Sequence, residues 1–450
     1  MAVISVIKLS ELEGAKRLDA EYYQPEYLNL ISKIKSQKSK SISELVSDIR
    51  YGLYVEPEYL EKGVNFIRAL NLLNFWIEGE ILKIDERKIP PGYRLKTGDV
   101  LIVRSGANTG CVSIVYPRFE GATFGSYTIR LRFNKVNPFF AAIFLNTKLG
   151  TLQTQRLQTG MAQPNLNIPN IKEIRIPTIS EEKQKEVEIL CKKIEEERAN
   201  SENLYSQAES LLLSELGLQD FKPKEELFYK VSLSEANTAH RIDAEYFNPI
   251  YDEIMERINN KKVEMKPLNK FLISVKKGIE VGSEKYQEEG MPFIRVSNIS
   301  IHGLIDKDQK FIDEKDYNIL KDKFEPTEGE ILLTKDATPG IAYFVKEPIK
   351  GIISSGILRL KVKDINPEYL CLCINSIIGK SQIERDSGGS VITHWKPNQI
   401  KSLQIPILPK PTQQKIAELV QKSHEARRKA KQLLEEAKKK VEEAIEKQNN

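Results

Sequence analysis

Two long stretches of the chain alternate apolar and polar positions with a helical period. In the first, Val187, Leu190, Ile194, Glu197, Ser201, Leu204, Ala208 and Leu211 recur at steps of 3 and 4. In the second, Ile416, Leu419, Ser423, Ala426, Ala430, Leu433 and Ala437 do the same. A narrow heptad seam on an otherwise polar stretch predicts a helix that buries its stripe against a partner helix. Ser180 ahead of Glu181 and Glu182 is a fitting N-cap for the first, and Gly217 a fitting end. The second is predicted from Pro411-Thr412 almost to the last residue. Ahead of each helix lies a mixed segment of short β-like runs, such as Val100-Leu-Ile-Val103 and Gly351-Ile-Ile-Ser354, punctuated by Gly and Pro.

The two segments are copies of one design. Arg17-Leu-Asp-Ala-Glu-Tyr-Tyr-Gln-Pro-Glu-Tyr27 returns as Arg241-Ile-Asp-Ala-Glu-Tyr-Phe-Asn-Pro-Ile-Tyr251, an offset of 224 (241 minus 17). Phe66-Ile-Arg68 returns as Phe293-Ile-Arg295, each followed by an Asn, Asn71 and Asn298. Gly98-Asp-Val-Leu-Ile returns as Gly329-Glu-Ile-Leu-Leu, and the runs end in Gly110 and Gly340. Asn137-Pro138 matches Asn366-Pro367, and Ile176-Pro177 matches Ile405-Pro406, both at an offset of 229. A near-constant offset through independent matches marks a duplication. The expected domains are 1–179, a helix over 180–217, a second domain over 218–409 opening with a short linker, and a helix over 410–450.

Charge distinguishes the two helices. Residues 180–217 hold 10 Glu against 5 Lys or Arg, and residues 410–450 hold 11 Lys or Arg against 7 Glu. An acidic and a basic helix in one chain are expected to pair. Equivalent units packing through equivalent surfaces do so about a twofold axis, which makes the helices antiparallel. About 35 residues at 1.5 Å each give a spacer on the order of 50 Å, roughly one and a half turns of B-DNA. The fold class expected is α+β: two similar mixed domains joined by two long helices in an intramolecular antiparallel coiled coil with pseudo-twofold symmetry.

Composition narrows the class. The chain has 450 residues, 40% apolar and 29% charged, with a net charge of +5, compatible with nucleic acid but no proof of it. No apolar run of membrane-spanning length is present, and the first residues lack the marks of a signal peptide, so the expected location is cytoplasmic. Four cysteines and four histidines give neither a disulfide framework nor a histidine-based metal centre. Cys371-Leu-Cys373 is a lone pair without a second half, and His302 and His394 lack metal-ligand spacing. There is no phosphate-binding Gly-rich loop ending in Gly-Lys-Ser/Thr, no Gly-x-Ser-x-Gly elbow, and no Asn/Asp-Pro-Pro-Tyr/Phe motif. The nearest strings, Asn248-Pro-Ile-Tyr251 and Asn366-Pro-Glu-Tyr369, lack the second Pro. The chain therefore reads as non-catalytic.

The paired Arg-(Leu/Ile)-Asp-Ala-Glu-Tyr entries, the Gly-(Asp/Glu)-x-Leu cores and the Ile-Pro exits into Gln-containing helices at Gln184 and Gln414 resemble the specificity (S) subunit of type I restriction-modification systems. The resemblance covers essentially the whole chain. It implies two target-recognition domains, each reading one half of a bipartite duplex DNA site across an unspecified spacer. It also implies two modification subunits, which bind S-adenosylmethionine and methylate adenine at N6, with restriction subunits joining that core. No cofactor is expected in this chain itself.

Base readout favours Arg on guanine and Asn or Gln on adenine, presented on turns. In the first copy the candidates are Arg50 and Tyr51 before Gly52, Arg68 and Asn71, then Arg104, Ser105 and Asn108 before Gly110, with Ser126 and Tyr127, and Gln158 and Gln163. In the second they are Lys276 and Lys277 before Gly278, Arg295 and Asn298, then Lys335, Asp336 and Thr338 before Gly340, with Ser354, Ser355, Arg385, Ser390, His394 and Lys396. Two halves that read different sequences need different readers. The dissimilar pairs are thus favoured: Arg104-Ser-Gly-Ala-Asn108 against Lys335-Asp-Ala-Thr338, and Gln158–163 against Ser387–390. Competing readings are a coiled-coil scaffold with two peptide-binding domains, and a standalone DNA methyltransferase, against which the missing motif argues.

Overall fold

The computed structural model describes residues 4–10, 12, 17–35, 38–54, 58–106, 108–160, 163–223, 228–306, 308–387 and 394–447. The chain divides into two compact units, Met1–Glu196 with Lys429–Asn450, and Glu197–Arg428.

The first unit is built on an antiparallel sheet of β1 (Val46–Tyr51), β2 (Val100–Val103), β3 (Val112–Ile114) and β4 (Thr128–Phe133), in the order β1-β4-β2-β3. Both faces of β2 are covered. Val100 and Ile102 enter a core shared with the helix Pro138–Leu145, while Leu101 and Val103 enter a second core with Phe124 and Ile67. This alternation is the period of two that an extended strand imposes. A three-stranded sheet sets Val64–Ile67 between Leu82–Ile84 and Thr123–Phe124. Ser39–Ser41 pairs with Arg175–Pro177, so the entry and exit of the domain lie side by side.

The second unit repeats this plan. Its sheet holds β5 (Leu272–Lys277), β6 (Ile331–Thr334), β7 (Ala342–Phe344) and β8 (Ile357–Val362), in the order β5-β8-β6-β7. Ile331 and Leu333 face one core and Leu332 the other. Met291–Ile294 sits between Lys310–Ile312 and Ile352–Ile353, and Glu264–Pro267 pairs with Gln404–Ile407. The duplication read from short strings is thus a duplication of strand order.

The long helices run Glu181–Glu215 and Lys410–Glu446. Each starts at a built junction. The Gln184 amide donates to the Ile179 carbonyl at 3.0 Å and accepts from the Asn137 N–H at 2.9 Å. Gln413 repeats the arrangement, donating to the Leu408 carbonyl at 2.8 Å and accepting from the Asn366 N–H at 3.5 Å. Asn137 and Asn366 in turn cap the buried helices that follow them. The counterpart of Gln184 is thus Gln413, the first glutamine of Thr412-Gln-Gln414, while Gln414 accepts from the Asn366 side-chain amide at 3.4 Å.

Within the first unit, Val187, Leu190, Cys191 and Ile194 share a core with Ala430, Leu434, Ala437, Val441 and Ile445. Within the second, Tyr205, Ala208, Leu212 and Leu216 share one with Ile416 and Val420, and the Ser201 and Ser423 hydroxyls meet at 3.1 Å. The start of one helix packs with the end of the other, so the pair is antiparallel. The heptad seam needs correction at four positions. Tyr205, Leu212, Val420 and Leu434 are buried, whereas the neighbouring Leu204, Leu211, Leu419 and Leu433 are only half-buried. A straight helix drifts relative to a 3.5-residue repeat, and these turns must also cover their globular domains, which widens the stripe.

The copies diverge at one docking hairpin. Leu72–Leu73 pairs with Trp76–Ile77 and presents Phe75, which is fully buried. Ile299–Ser300 pairs with Gly303–Leu304, and the residue at the same turn position is His302. The His302 ring lies edge-on to Tyr205 at 4.9 Å and to His424 at 6.2 Å. Its Nδ1 is buried without a hydrogen-bond partner among the described residues.

Candidate nucleic-acid interface

In each unit, two loops far apart in sequence meet at the end of a central strand, β2 in the first and β6 in the second. The Leu166 N–H donates to the Arg104 carbonyl at 2.8 Å, and the Trp395 N–H to the Lys335 carbonyl at 2.9 Å. Ser105 bridges Asn165, and Asp336 bridges His394. The Arg104 N–H reaches the Tyr127 carbonyl and the Lys335 N–H the Gly356 carbonyl, both at 2.9 Å. Both loops return through a glycine, Gly110 at φ 88° and Gly340 at φ 92°, a left-handed conformation that glycine adopts without strain. The dissimilar loops that begin at Arg104 and Lys335 therefore stand at the same place on one scaffold, whereas residues 388–390 of the other pair lie outside the described residues.

The first unit gathers Tyr51, Arg104, Ser105, Asn108, Tyr127, Gln158 and Gln163 at this place. The Arg104 guanidinium lies 4.8 Å from the centre of the Tyr51 ring, and the Tyr51 hydroxyl accepts from the Ile168 N–H at 3.1 Å. Gln163 donates to the Ser105 hydroxyl at 3.3 Å, and Gln158 to the Thr109 carbonyl at 3.3 Å. Tyr127 is 59% exposed. A guanidinium fork held over an aromatic ring, beside amide groups, is suited to the major-groove edges of guanine and adenine.

The second unit places different chemistry there. Asp336 is paired with Lys335, and the His394 Nδ1 lies 2.8 Å from its other carboxylate oxygen. Burial pushes the carboxyl upward, but the hydrogen bonds from Lys335 and His394 outweigh it and hold Asp336 below its ordinary value. Thr338 and Lys396 are exposed near the loop ends, and Lys276 and Lys277 are exposed on β5. Ser355 donates to Glu280 at 3.2 Å, while Ser354 is buried. Ser390 lies outside the described residues.

Other candidates need correction. Asn71 and Asn298 are buried at 0% and 1% exposure. Asn71 donates to the Glu78 and Glu80 carbonyls and accepts from the Arg68 N–H, while Asn298 donates to the Ile305 carbonyl and accepts from the Arg295 N–H. Both build their loops and face no solvent. Arg295 is paired with Asp308 at 2.9 Å, and Arg68 donates to the Glu80 carbonyl at 3.2 Å. Arg50 lies within β1, where it shares Asp48 with the fully buried Arg130. Hydrogen bonds from Arg50 and then Arg130 pull the Asp48 carboxyl down to about 2.

Arg385 belongs to a repeated clamp. Arg241 and Arg385 stand over the Tyr246 ring at 4.7 and 4.8 Å, as Arg17 and Arg156 stand over Tyr22 at 4.5 and 3.6 Å. Arg241 pairs with Asp243 and donates to the Asp386 carbonyl, and Arg17 pairs with Asp19 and donates to the Gln158 carbonyl. Sequence reasoning missed Arg156 in this clamp. Its offset of 229 from Arg385 was the available signal. Cys371 and Cys373 lie in the buried helix Pro367–Asn375, where burial pushes the Cys373 thiol up to about 12. Among the described residues no helix is long and apolar enough to cross a membrane.

Residues 242–439 match the family model described as type I restriction modification DNA specificity domain. Among solved structures, the chain is similar to the S subunit of a type I restriction-modification system from M. genitalium, at 13% identity over 92% of this chain and 94% of that one, with a TM-score of 0.36. It is also similar to the HsdS subunit from Thermoanaerobacter tengcongensis, at 11% identity over 91% of this chain and 96% of that one, with a TM-score of 0.28. No curated protein matches the chain.

Proposed function

We propose that the match of residues 242–439 to the type I restriction modification DNA specificity domain holds for both units, and that they are the target-recognition domains of one specificity subunit. Each reads one half of a bipartite duplex DNA site, and the two long helices set the unspecified gap between the halves. The chain itself carries out no chemistry. It docks two modification subunits, which bring S-adenosylmethionine and methylate adenine, and through them the restriction subunits. Its work lies with the DNA, in the cytoplasm.

One observation carries this reading. On two scaffolds with the same strand order, the paired loops at the same position differ in chemistry: Arg104, Ser105, Asn108, Gln158 and Gln163 on one, Lys335, Asp336, Thr338 and His394 on the other. Shared framework with divergent tips is what two readers of different half-sites require, because base contacts specify while the rest positions. The exposed Lys276, Lys277 and Lys396 contact phosphates.

The test is an N6-methyladenine map of the host genome with the gene intact, deleted, and carrying the 104–110 and 158–166 loops of a homologue with another target. The reading expects a gapped motif that vanishes on deletion and changes in one half only on loop exchange. A change in both halves, or in neither, refutes the assignment of readers. An unchanged map on deletion, in cells shown to express all partners, refutes the function.

A further inference from the structure

The recurring entry motif contains residues with work inside the domain and residues without any. Arg17, Asp19 and Tyr22, like Arg241, Asp243 and Tyr246, are tied up in the clamps. Leu18 and Ile242 stand between them, 86% and 93% exposed. Ala20 and Glu21, and their counterparts Ala244 and Glu245, are exposed as well. A single exposed leucine needs no explanation. A branched apolar side chain at the same exposed position of both copies, beside the same exposed Ala and Glu, does need one.

We propose that Leu18 and Ile242 are the apolar centres of two equivalent docking patches, each seating one copy of the same methylating subunit. This rests on the reading of the chain as a specificity subunit. Equivalent surfaces on a duplicated chain take identical partners in equivalent poses. Charge selects protein over DNA as the occupant. Arg17 and Arg156 are balanced by Asp19 and Glu21, and Arg241 and Arg385 by Asp243 and Glu245, so around each apolar centre there is no surplus of positive charge to hold a phosphate. The complementary surface is an apolar socket with a rim of mixed charge.

The test uses the full chain with Leu18→Lys, Ile242→Lys and both together, mixed with the methyltransferase subunit purified from the same host. Native mass spectrometry counts bound copies, and titration gives the affinity of each step. Each single variant should bind one copy with unchanged affinity and the other at least about tenfold more weakly. The double variant should weaken both. Melting temperature and DNA affinity of the chain alone should stay unchanged, since neither side chain is packed. A double variant that binds two copies as tightly as the unsubstituted chain overturns the patches and leaves the specificity reading standing. An unsubstituted chain that binds no copy overturns both.

Discussion

Replacing His302 by Phe, the residue that Phe75 supplies in the first unit, should remove an acid sensitivity built into the second. His302 is packed against Tyr205 and His424, and burial, reinforced by the nearby Arg427, His424 and Arg198 charges, pulls it down to about 2. Burial likewise pulls His424 down to about 4, even though its ring meets the Ile301 carbonyl at 3.2 Å and faces the Glu368 carboxylate at 3.8 Å. Both are therefore neutral in the folded chain at pH values where an unfolded histidine, near 6.5, takes up a proton. A group with a depressed folded pKa contributes its full stability above the unfolded value and loses it as pH falls. The loss approaches about 1.4 kcal/mol per pH unit for each such histidine well below that value, and amounts to ~2 kcal/mol for His302 between pH 6.5 and 4.5. Urea unfolding of the chain and of His302→Phe, followed by far-ultraviolet circular dichroism from pH 7.5 to 4.5, isolates this quantity, because groups common to both proteins cancel. The variant should gain on the parent progressively below pH 6.5. A difference that stays constant across the range refutes the assignment of His302 as a buried neutral group.

The remaining expectations concern packing and readout. Glu330→Gln leaves Arg359 without the carboxylate that it meets at 2.7 and 2.9 Å in a site almost closed to solvent, and should cost about 3–5 kcal/mol in denaturant unfolding. Gly52→Ala and Gly278→Ala would each drive a methyl to within 2.1 or 2.2 Å of a backbone carbonyl oxygen, and each should lower stability by roughly 2 kcal/mol or more. Arg104→Ala should relax preference at one base position by about 1–3 kcal/mol in selection from a random DNA pool. Lys277→Ala should instead weaken all sequences alike and lower the salt slope by about one.

The duplication, the two long helices and the meeting of the dissimilar loops were legible because each leaves a mark in local spacing. Offsets near 229 located Gly340 against Gly110 and Asn366 against Asn137, and strand order follows the same register. What escaped was the direction in which a side chain points. Arg68 with Asn71, and Arg295 with Asn298, read equally well as a tip or as a loop frame, and only burial separates the two. Arg50 carried a warning in Asp48, since residues two apart on a strand share a face and an opposite charge there is a ready partner. The exact seam at Leu204, Leu211, Leu419 and Leu433 escaped because steps of 3 and 4 cannot distinguish a partner helix from the domain that leans on the same side.

The first unit is not finished by the residues that begin it. Ala430, Leu434, Ala437, Val441 and Ile445 complete its core, yet residues 197–428, 232 of them (428 minus 197 plus 1), must emerge from the ribosome before those five do. At about 5–20 residues per second the opening domain waits roughly 10–50 s with part of its apolar surface uncovered. The order of synthesis thus runs against the usual one, in which the leading domain folds first. A chain cut after Arg428 would strip the missing face from the N-terminal unit and spare the one that was made later.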